Sequence, residues 1–146
     1  MGLDMYIFDQ ENDELVYWRK ANQINGWFNR VFDGVENTTQ YPLTKEILIE
    51  LVEDCKTVLS LLETKAKKIY IKEYDEEEID LEKAYYIYEE VPDEVYEILP
   101  PTQGFFFGSD EIDSYYEYQI RHTIEMVQPL INVIDENYQM YYYIWY

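Results

Sequence analysis

The fold is decided by the stretch TKEILIELVEDCKTVLSLLETKA, residues 44–66. Its apolar side chains recur at every third or fourth position, which is the spacing of one face of an α-helix. Thr44 predicts the N-cap, and Glu46 lies in the first turn, where the helix dipole favours a negative charge. The stretch therefore predicts a long amphipathic helix that packs into a core. Its apolar stripe consists of Ile47, Leu51, Cys55, Val58 and Leu62.

Two strands and a shorter helix are predicted upstream of this helix. Alternating aromatic and β-branched residues predict strands at 3–8 and 14–18, joined by a polar turn. Over residues 19–32 the apolar spacing changes to three and four, which predicts a helix that contains Gly26. Residues 33–42 have the composition of a loop.

Three further segments are candidates for strands. The piece IYIKEY at 69–74 alternates as a strand does. The piece AYYIYEE at 84–90 fits either a strand or a helix. The aromatic ending YQMYYYIWY at 138–146 predicts a last strand with aromatic side chains on both faces.

A last long helix is predicted to begin at Ser109 or Asp110, since either side chain can cap it. Its apolar positions continue at helical spacing as far as Ile131. Pro129 lacks an amide proton and restricts the residue before it. We therefore expect the helix to end or kink near Gln128.

The order of these elements predicts an α+β fold, with two to three helices packed on a small antiparallel sheet. A chain of 146 residues is long enough for one domain with its own core. We therefore predict a single domain over residues 1–146, with an acidic insertion at about 64–98. The chain has one cysteine, Cys55, so no internal disulfide is possible.

The charge of the chain restricts its partners. Thirty-one acidic residues against eleven basic ones give a net charge of −20. A field of that sign repels nucleic acids and anionic membranes, so we expect neither to bind directly. It attracts basic protein surfaces, which makes a basic protein the expected partner. The N-terminus lacks the pattern of a secretory signal, and we expect the protein in the cytoplasm of a host bacterium.

No motif in the sequence predicts catalysis. The one histidine, His122, and the one cysteine, Cys55, lie on different predicted helices and do not form a zinc pattern. The acidic run DEEEID at 75–80 lacks the glycine of an EF-hand loop, and the scattered glycines form no phosphate-binding loop. We therefore expect no catalytic residue, no metal site and no cofactor.

The acidic charge peaks in one segment. Twelve acids and a single lysine, Lys83, fall between Glu73 and Glu97, with tyrosines interleaved. The simpler interpretation is a solvated face, which is the usual meaning of a charge run. The functional interpretation is a binding surface that imitates the phosphates of duplex DNA, with tyrosines adding contact area. The predicted partner-binding residues are Asp75, Glu76, Glu77, Glu78, Asp80, Glu82, Tyr85, Tyr88, Glu89, Glu90, Asp93 and Glu94.

An alternative site lies where the second strand meets the first helix. The block YWRKANQINGWF at 17–28 mixes tryptophans with polar side chains, and the GFFFG segment at 104–108 offers an apolar wall. In this alternative the protein is a small accessory enzyme or a ligand-binding protein. We favour the competing interpretation, in which the tryptophans belong to the core. The pocket residues would be Trp18, Arg19, Asn22, Asn25 and Phe106.

Four blocks of the sequence resemble a family of small, uncharacterised phage and prophage proteins. They are the opening MGLDMYI, YWRKANQINGWF at 17–28, LIELVEDCKTVL at 48–59 and PTQGFFFGSDEIDSYY at 101–116. The resemblance covers most of the chain outside 64–98. The family pattern has a histidine near Asn25 and a serine-rich ending. This chain has neither, which argues against a shared catalytic histidine.

The resemblance implies a context rather than a mechanism, because the family has no established activity or functional residues. Small acidic phage proteins often inhibit host defence, including restriction and CRISPR nucleases, by occupying a basic DNA-binding cleft. The leading hypothesis is therefore a phage-type inhibitor or modulator of a basic host protein, acting as a DNA mimic against a defence nuclease. A homo-oligomer formed through the aromatic C-terminus is a third alternative.

Overall fold

The fold is built on a four-stranded antiparallel sheet with helices on one face. It is described here by a computed structural model for residues 2–71, 85–101 and 112–146. The elements, in chain order, are β1 (Asp4–Asp9), β2 (Glu14–Arg19), α1 (Asn22–Val31), β3 (Tyr41–Leu43), α2 (Lys45–Lys65), β4 (Lys67–Ile71), β5 (Tyr85–Glu89), α3 (Asp93–Ile98), α4 (Ser114–Val133) and β6 (Met140–Trp145).

The first and last strands are neighbours at the centre of the main sheet. β1 and β2 form the opening hairpin, with Tyr6 opposite Tyr17. β6 pairs with the other side of β1, which places Tyr143 opposite Tyr6 as well. The short strand β3 then pairs with β6, and the strand order is β2-β1-β6-β3.

The inner face of this sheet, turned toward the helices, carries an aromatic core. Trp18 of β2 and Tyr142 of β6 are fully buried, and the ring of Phe28 from α1 stacks on Tyr142 with centroids 3.9 Å apart. The indole nitrogen of Trp18 donates a hydrogen bond to the Thr123 hydroxyl of α4 at 2.8 Å. The hydroxyl of Tyr142 donates to the side-chain oxygen of Asn25 at 2.7 Å. The indole nitrogen and the phenol hydroxyl of these two buried rings therefore both have hydrogen-bond partners, as buried polar groups require.

The two long helices, α2 and α4, pack against each other. α2 begins where the sequence predicts, because the Thr44 hydroxyl accepts a hydrogen bond from the Ile47 amide at 3.2 Å. Four of the five residues of its predicted apolar stripe are buried, as expected for an amphipathic helix, and Ile47 is partly buried. The buried residues of α2 are Leu48, Leu51, Val52, Cys55, Val58 and Leu62.

In the described ranges, no helix combines the length and apolar character needed to cross a membrane.

Helix α4 contacts the outer edge of β2, which is an edge strand of the main sheet. The side-chain amide of Gln119 donates to the Arg19 carbonyl at 3.0 Å, and a ring nitrogen of His122 lies 3.3 Å from the Tyr17 carbonyl. These contacts occupy backbone acceptors that an incoming strand would need. At the opposite edge, β3 has three residues and includes Pro42, which has no amide donor.

A second sheet of two strands packs on α4. β4 and β5 pair antiparallel, with Ile69 opposite Ile87. The Tyr88 amide donates to the carbonyl of Ile112, just before α4, at 2.8 Å. α3 follows β5 directly, contacts α2 and buries Val95.

The structure confirms the predicted α+β class but divides the strands differently. β4 and β5 form a sheet of their own instead of joining the main sheet. β3 begins at Tyr41, within a segment predicted to be a loop, because its partner strand β6 is distant in the sequence. The described residues form four helices rather than two or three. The extra helix, α3, has six residues, which is too few for a periodic signal.

Helix α4 differs from its prediction at both ends. Its N-cap is Asp113, whose carboxylate accepts a hydrogen bond from the Tyr116 amide at 2.9 Å. The predicted caps at 109 and 110 lie outside the described residues. Of the two outcomes expected near Gln128, an end or a kink, the end is wrong, because the helix continues through Pro129 to its last residue at 133. Pro129 is exposed, so water can satisfy the carbonyl that loses its intrahelical partner.

Truncation of Leu51 to alanine is expected to lower the free energy of unfolding by about 2–5 kcal/mol, because it leaves a cavity in a packed core. Leu51 is fully buried. The matched control is Val133→Ala in the last turn of α4, where the side chain is 81% exposed. The control should change stability by less than about 0.5 kcal/mol. Denaturant unfolding followed by circular dichroism measures both, and equal losses would contradict this core assignment.

Candidate partner-binding surface

The buried carboxylate of Glu117 in α4 joins the small sheet to the helices. Glu117 is only 4% exposed. Its Oε1 accepts hydrogen bonds from the hydroxyls of Tyr88 and Tyr86, the latter at 2.9 Å. Its Oε2 accepts a hydrogen bond from Nε of Arg121, one helical turn away, at 2.7 Å. One carboxylate thus binds two side chains of β5 and one of its own helix.

Two more charged side chains complete the group around this carboxylate. Lys68 of β4 places Nζ 3.9 Å from Oε1 of Glu117 and 4.3 Å from the centre of the Tyr86 ring. Nη2 of Arg121 lies 2.6 Å from a carboxylate oxygen of Glu63 in α2. The group therefore connects β4, β5, α2 and α4. We call it the Glu117 cluster, and its members are Glu63, Lys68, Tyr86, Tyr88, Glu117 and Arg121.

The hydrogen bonds of the Glu117 cluster keep its central carboxyl ionised. Burial by itself raises the pKa of Glu117. The hydrogen bonds from Tyr88, Arg121 and Tyr86, together with the nearby ammonium group, outweigh burial and hold this pKa below its usual value. Burial, and then the hydrogen bond to Glu117, raises the pKa of both tyrosines well above the ordinary value. Near neutral pH the cluster therefore pairs an anionic acceptor with neutral phenol donors.

A second buried carboxylate extends this attachment to the start of α4. Asp113, the N-cap, accepts a hydrogen bond from the Tyr85 hydroxyl through Oδ2 at 3.0 Å. Asp113 also forms an isolated antiparallel bridge with Ile87 of β5. Residues at both ends of β5, Tyr85 and Tyr88, are therefore bonded to carboxylates of the α4 segment.

The end of β5 and helix α3 carry a row of exposed carboxylates. The chain turns between these elements at Glu90, which has a positive φ of 55°. All five acidic side chains of this stretch are exposed. The ion pairs found among the described residues lie elsewhere, in the Glu117 cluster. We call the row the acidic strip, and it consists of Glu89, Glu90, Asp93, Glu94 and Glu97.

Helix α3 presents part of the acidic strip on a fixed support. Asp93 lies in the first turn, where the helix dipole favours an acid, and Glu97 lies one turn later on the same face. Nη2 of Arg30 in α1 donates to the Ile98 carbonyl at the end of this helix, at 2.9 Å. Tyr96 is 47% exposed and adds an aromatic side chain to the same surface. The arrangement combines negative charge with contact area, as protein interfaces do.

The predicted partner-binding residues fall into three groups. Tyr85 and Tyr88 face α4 rather than solvent, because their hydroxyls bind buried carboxylates, and Tyr88 is only 8% exposed. Tyr88 therefore offers a partner little surface. The acidic strip contains four of the predicted residues, Glu89, Glu90, Asp93 and Glu94. The remaining six lie outside the described residues: Asp75, Glu76, Glu77, Glu78, Asp80 and Glu82.

The residues of the alternative pocket are divided between the core and the surface. Trp18 is fully buried, which is where the core interpretation predicts it. Asn22 is also buried, and Asn25 accepts a hydrogen bond within the aromatic core. Arg19 is exposed at the end of β2. Phe106 lies outside the described residues.

An acidic cleft that the sequence does not predict lies beside the turn between β1 and β2. It has a volume of about 410 Å³ and is lined by Asp9 and Glu11 among others. Carboxylate oxygens of these two residues and of Asp13 lie within 4.8 Å of one another. Oδ1 of Asp9 accepts hydrogen bonds from the backbone amides of Glu11 and Asp13 at 2.9 and 3.0 Å. Its Oδ2 accepts one from the Tyr138 hydroxyl at 3.3 Å. A turn stabilised by an aspartate side chain accounts for this grouping.

Glu117 is not among the residues that the sequence predicts to matter. An acid within a helix usually faces solvent, so its burial is unexpected. The available signal is its spacing of four residues from Arg121, which is typical of a helical ion pair. The deciding contacts come from tyrosines 29 and 31 residues away in the sequence. Only the packing of β5 on α4 brings them together.

Comparison with protein-family models, with curated proteins and with solved structures finds no match for this chain. The resemblance to small phage and prophage proteins therefore stays a prediction from the sequence. The function of the protein is inferred from its own charges, contacts and surfaces.

Replacing Glu117 by glutamine is expected to lower the free energy of unfolding at pH 7 by about 1–3 kcal/mol, because buried partners lose their ionised acceptor. The folded-state pKa of Glu117 lies below the unfolded-state value, near 4.5. Its stabilisation is therefore complete above about that pH and is lost as pH falls through the folded-state pKa. Denaturant unfolding between pH 7 and pH 3 should show a weaker acid dependence in Glu117→Gln than in wild type.

The control for this prediction is Glu125→Gln, which removes an exposed carboxylate from the same helix. We expect it to leave both the stability at pH 7 and its acid dependence close to wild type. Identical pH profiles for the two variants would show that Glu117 does not hold the small sheet in place.

Proposed function

We propose that this protein binds a basic protein partner through the acidic strip. The observation that carries the proposal is the state of these carboxylates: all five are exposed, and none has an ion-pair partner among the described residues. Unpaired carboxylates at fixed positions attract lysine and arginine side chains without first breaking internal salt bridges. The net charge of −20 adds a long-range field of the same sign.

The partner that fits best is a protein that normally binds DNA, such as a restriction or CRISPR nuclease of a bacterial host. The span from Asp93 to Glu97 carries three acids in five residues. At about 1.5 Å per residue this is roughly one charge per 2.5 Å of helix axis, compared with roughly one per 1.7 Å in duplex DNA. The strip therefore supports imitation of a DNA backbone over a short length.

The predicted acids at 75–82 belong to the same proposal. They lie between β4 and β5 in the sequence, and β5 leads directly into the strip. Their six carboxylates would add to the negative charge of this part of the sequence, which increases both the rate of encounter with a basic partner and its dependence on salt. Inhibition of a nuclease would follow from occupation of its DNA-binding cleft, and no catalysis by this chain is required.

The test measures whether the protein displaces fluorescently labelled duplex DNA from purified nucleases, a Cas9-type effector and a restriction enzyme, by anisotropy. We expect displacement from a susceptible nuclease and at least about a tenfold weaker effect at high salt than at low salt. A variant with Glu89→Gln, Glu90→Gln, Glu94→Gln and Glu97→Gln should lose about tenfold or more in apparent affinity.

The matched control removes the same amount of charge elsewhere, through Glu11→Gln, Glu36→Gln, Glu46→Gln and Glu136→Gln, which replace exposed carboxylates outside the strip. It should retain most of the wild-type affinity, because it leaves the contact surface intact. Equal losses of affinity in the two variants would show that the strip acts only through the net charge of the protein and not as a contact surface. Failure to displace DNA from either nuclease would overturn the proposed partner class.

A further inference from the structure

The outer face of the main sheet, turned away from the helices, is covered by aromatic side chains. Along β1, β2 and β6, side chains alternate between the buried core and this face. The registers Tyr6↔Tyr17, Tyr6↔Tyr143 and Phe8↔Tyr141 place these rings side by side across three neighbouring strands. We call this surface the outer aromatic face, and it consists of Tyr6, Phe8, Tyr17, Tyr141, Tyr143 and Trp145.

Five of the six rings of the outer aromatic face form a continuous surface, and Trp145 follows two residues after Tyr143 at the end of β6. Tyr6 stacks on Phe8 with centroids 5.0 Å apart and lies 5.2 Å from Tyr17. Phe8 in turn lies 5.6 Å from Tyr141 and 6.0 Å from Tyr143. These distances are those of interacting aromatic pairs. The rings therefore hold one another in place before any partner arrives.

The outer aromatic face is partly accessible to solvent. Trp145 is 57% exposed, whereas the other five rings are half-buried and contact one another. The described helices contact the sheet from its inner side, where Trp18 and Tyr142 are buried. A solvated sheet face normally carries polar residues. A contiguous aromatic surface in that position is typical of an interaction site.

Two carboxylates, of Asp4 and Glu14, against the one guanidinium of Arg19 give the strand residues of this face a small excess of negative charge. Asp4 and Glu14 flank the rings, and the Tyr17 hydroxyl donates to Asp4 at 2.5 Å. Burial, and then the charges of Asp4 and Glu14, raises the pKa of Tyr6. Arg19, opposite Asp4 in the register, is the one basic residue in the three strands. Aromatic rings beside carboxylates favour cations, because the ring face and the carboxylate both carry negative potential.

We infer that the outer aromatic face docks an arginine-rich segment of the basic partner. The inference rests on the proposed function for the charge of that partner, and it adds a second contact surface with its own selectivity. A guanidinium group is planar and stacks on tyrosine and tryptophan rings while it donates hydrogen bonds to carboxylates and hydroxyls. An ammonium group lacks the plane, so this face should distinguish arginine from lysine.

A second copy of the chain fits this face less well. Each copy carries a net charge of −20, so face-to-face association brings two strongly negative molecules together. Pairing through the β2 edge is also obstructed, since Gln119 and His122 already contact its outward carbonyls. Charge complementarity therefore favours a cationic protein segment over self-association.

The test compares deca-arginine and deca-lysine peptides, which have equal charge, as probes of the full chain. Trp145 is the reporter, because Trp18 and Trp27 are buried and Trp145 is exposed. We expect deca-arginine to bind about fivefold to tenfold more tightly than deca-lysine and to protect Trp145 fluorescence from acrylamide quenching. In Tyr6→Thr/Tyr143→Thr the preference should fall below about twofold.

The control is Tyr115→Ala/Tyr118→Ala, which removes two exposed tyrosines from α4 and should keep the arginine preference. If the double variant on the sheet does not fold, Trp145→Leu replaces it, with peptide binding measured by calorimetry. Equal binding of the two peptides, or a preference that survives loss of the rings, would overturn the inference. So would a stable dimer in sedimentation analysis that Trp145→Leu abolishes.

Failure of this inference is distinguishable from failure of the proposed function. Neutralising the acidic strip should weaken both peptides alike and leave their ratio unchanged. Removing the rings should change the ratio and leave deca-lysine binding nearly unchanged. A strip variant that binds deca-lysine as tightly as wild type counts against the proposed function alone.

Discussion

A carboxylate taken out of water must find strong hydrogen-bond donors, and in this protein that constraint falls on Glu117. Its donors come from Tyr86 and Tyr88 in β5 and from Arg121 in its own helix. Satisfying one buried charge therefore also fixes the small sheet against α4. The acidic strip begins where β5 ends, so its position depends on the same contacts. A surface that has to present charges at defined spacing needs such an attachment, because a helix of six residues is not stable by itself.

The ionic interactions of the described residues are concentrated where they hold elements together. Lys68 and Arg121 both lie in the Glu117 cluster, close to the buried Glu117, and Arg121 also pairs with the exposed Glu63. The acidic strip forms no ion pair in the described part of the chain, although Lys67 of β4 lies opposite Glu89 in the register of the small sheet. Concentrated unpaired charge repels itself and costs stability. The helix dipole of α3 accounts for the acids in its first turn. No ion pair of the described residues uses the strip carboxylates, which supports the proposal of a cationic partner.

The two faces of the main sheet also differ in their roles, since one packs into the core and the other lies at the surface. Its inner face is aromatic because Trp18 and Tyr142 pack against the helices, and their polar tips are hydrogen-bonded. Its outer face is aromatic as well, and it lies on the side away from the described helices. Strands of this kind are prone to pair with other chains, and the molecule limits that risk at its edges: α4 contacts the carbonyls of β2, and the other edge strand is short and contains Pro42. The edges are protected, whereas the outer aromatic face is left accessible.

The sequence by itself determined the elements whose signal is local. The helix that begins after Thr44 follows from its apolar spacing, since a helix repeats every 3.6 residues. The strand at the C-terminus follows from its aromatic composition, which favours strands. The net charge of the chain and the concentration of acidic residues between Glu73 and Glu97 are also evident from the sequence without the structure. Only the tertiary structure decided which tyrosines face solvent and which acids are buried. Tyrosine and glutamate are residue types that often lie at the surface. Tyr88 and Glu117 are buried because each is the hydrogen-bond partner of the other, 29 residues away in the sequence. Such a pairing has no local periodicity, so it becomes visible only once β5 lies on α4.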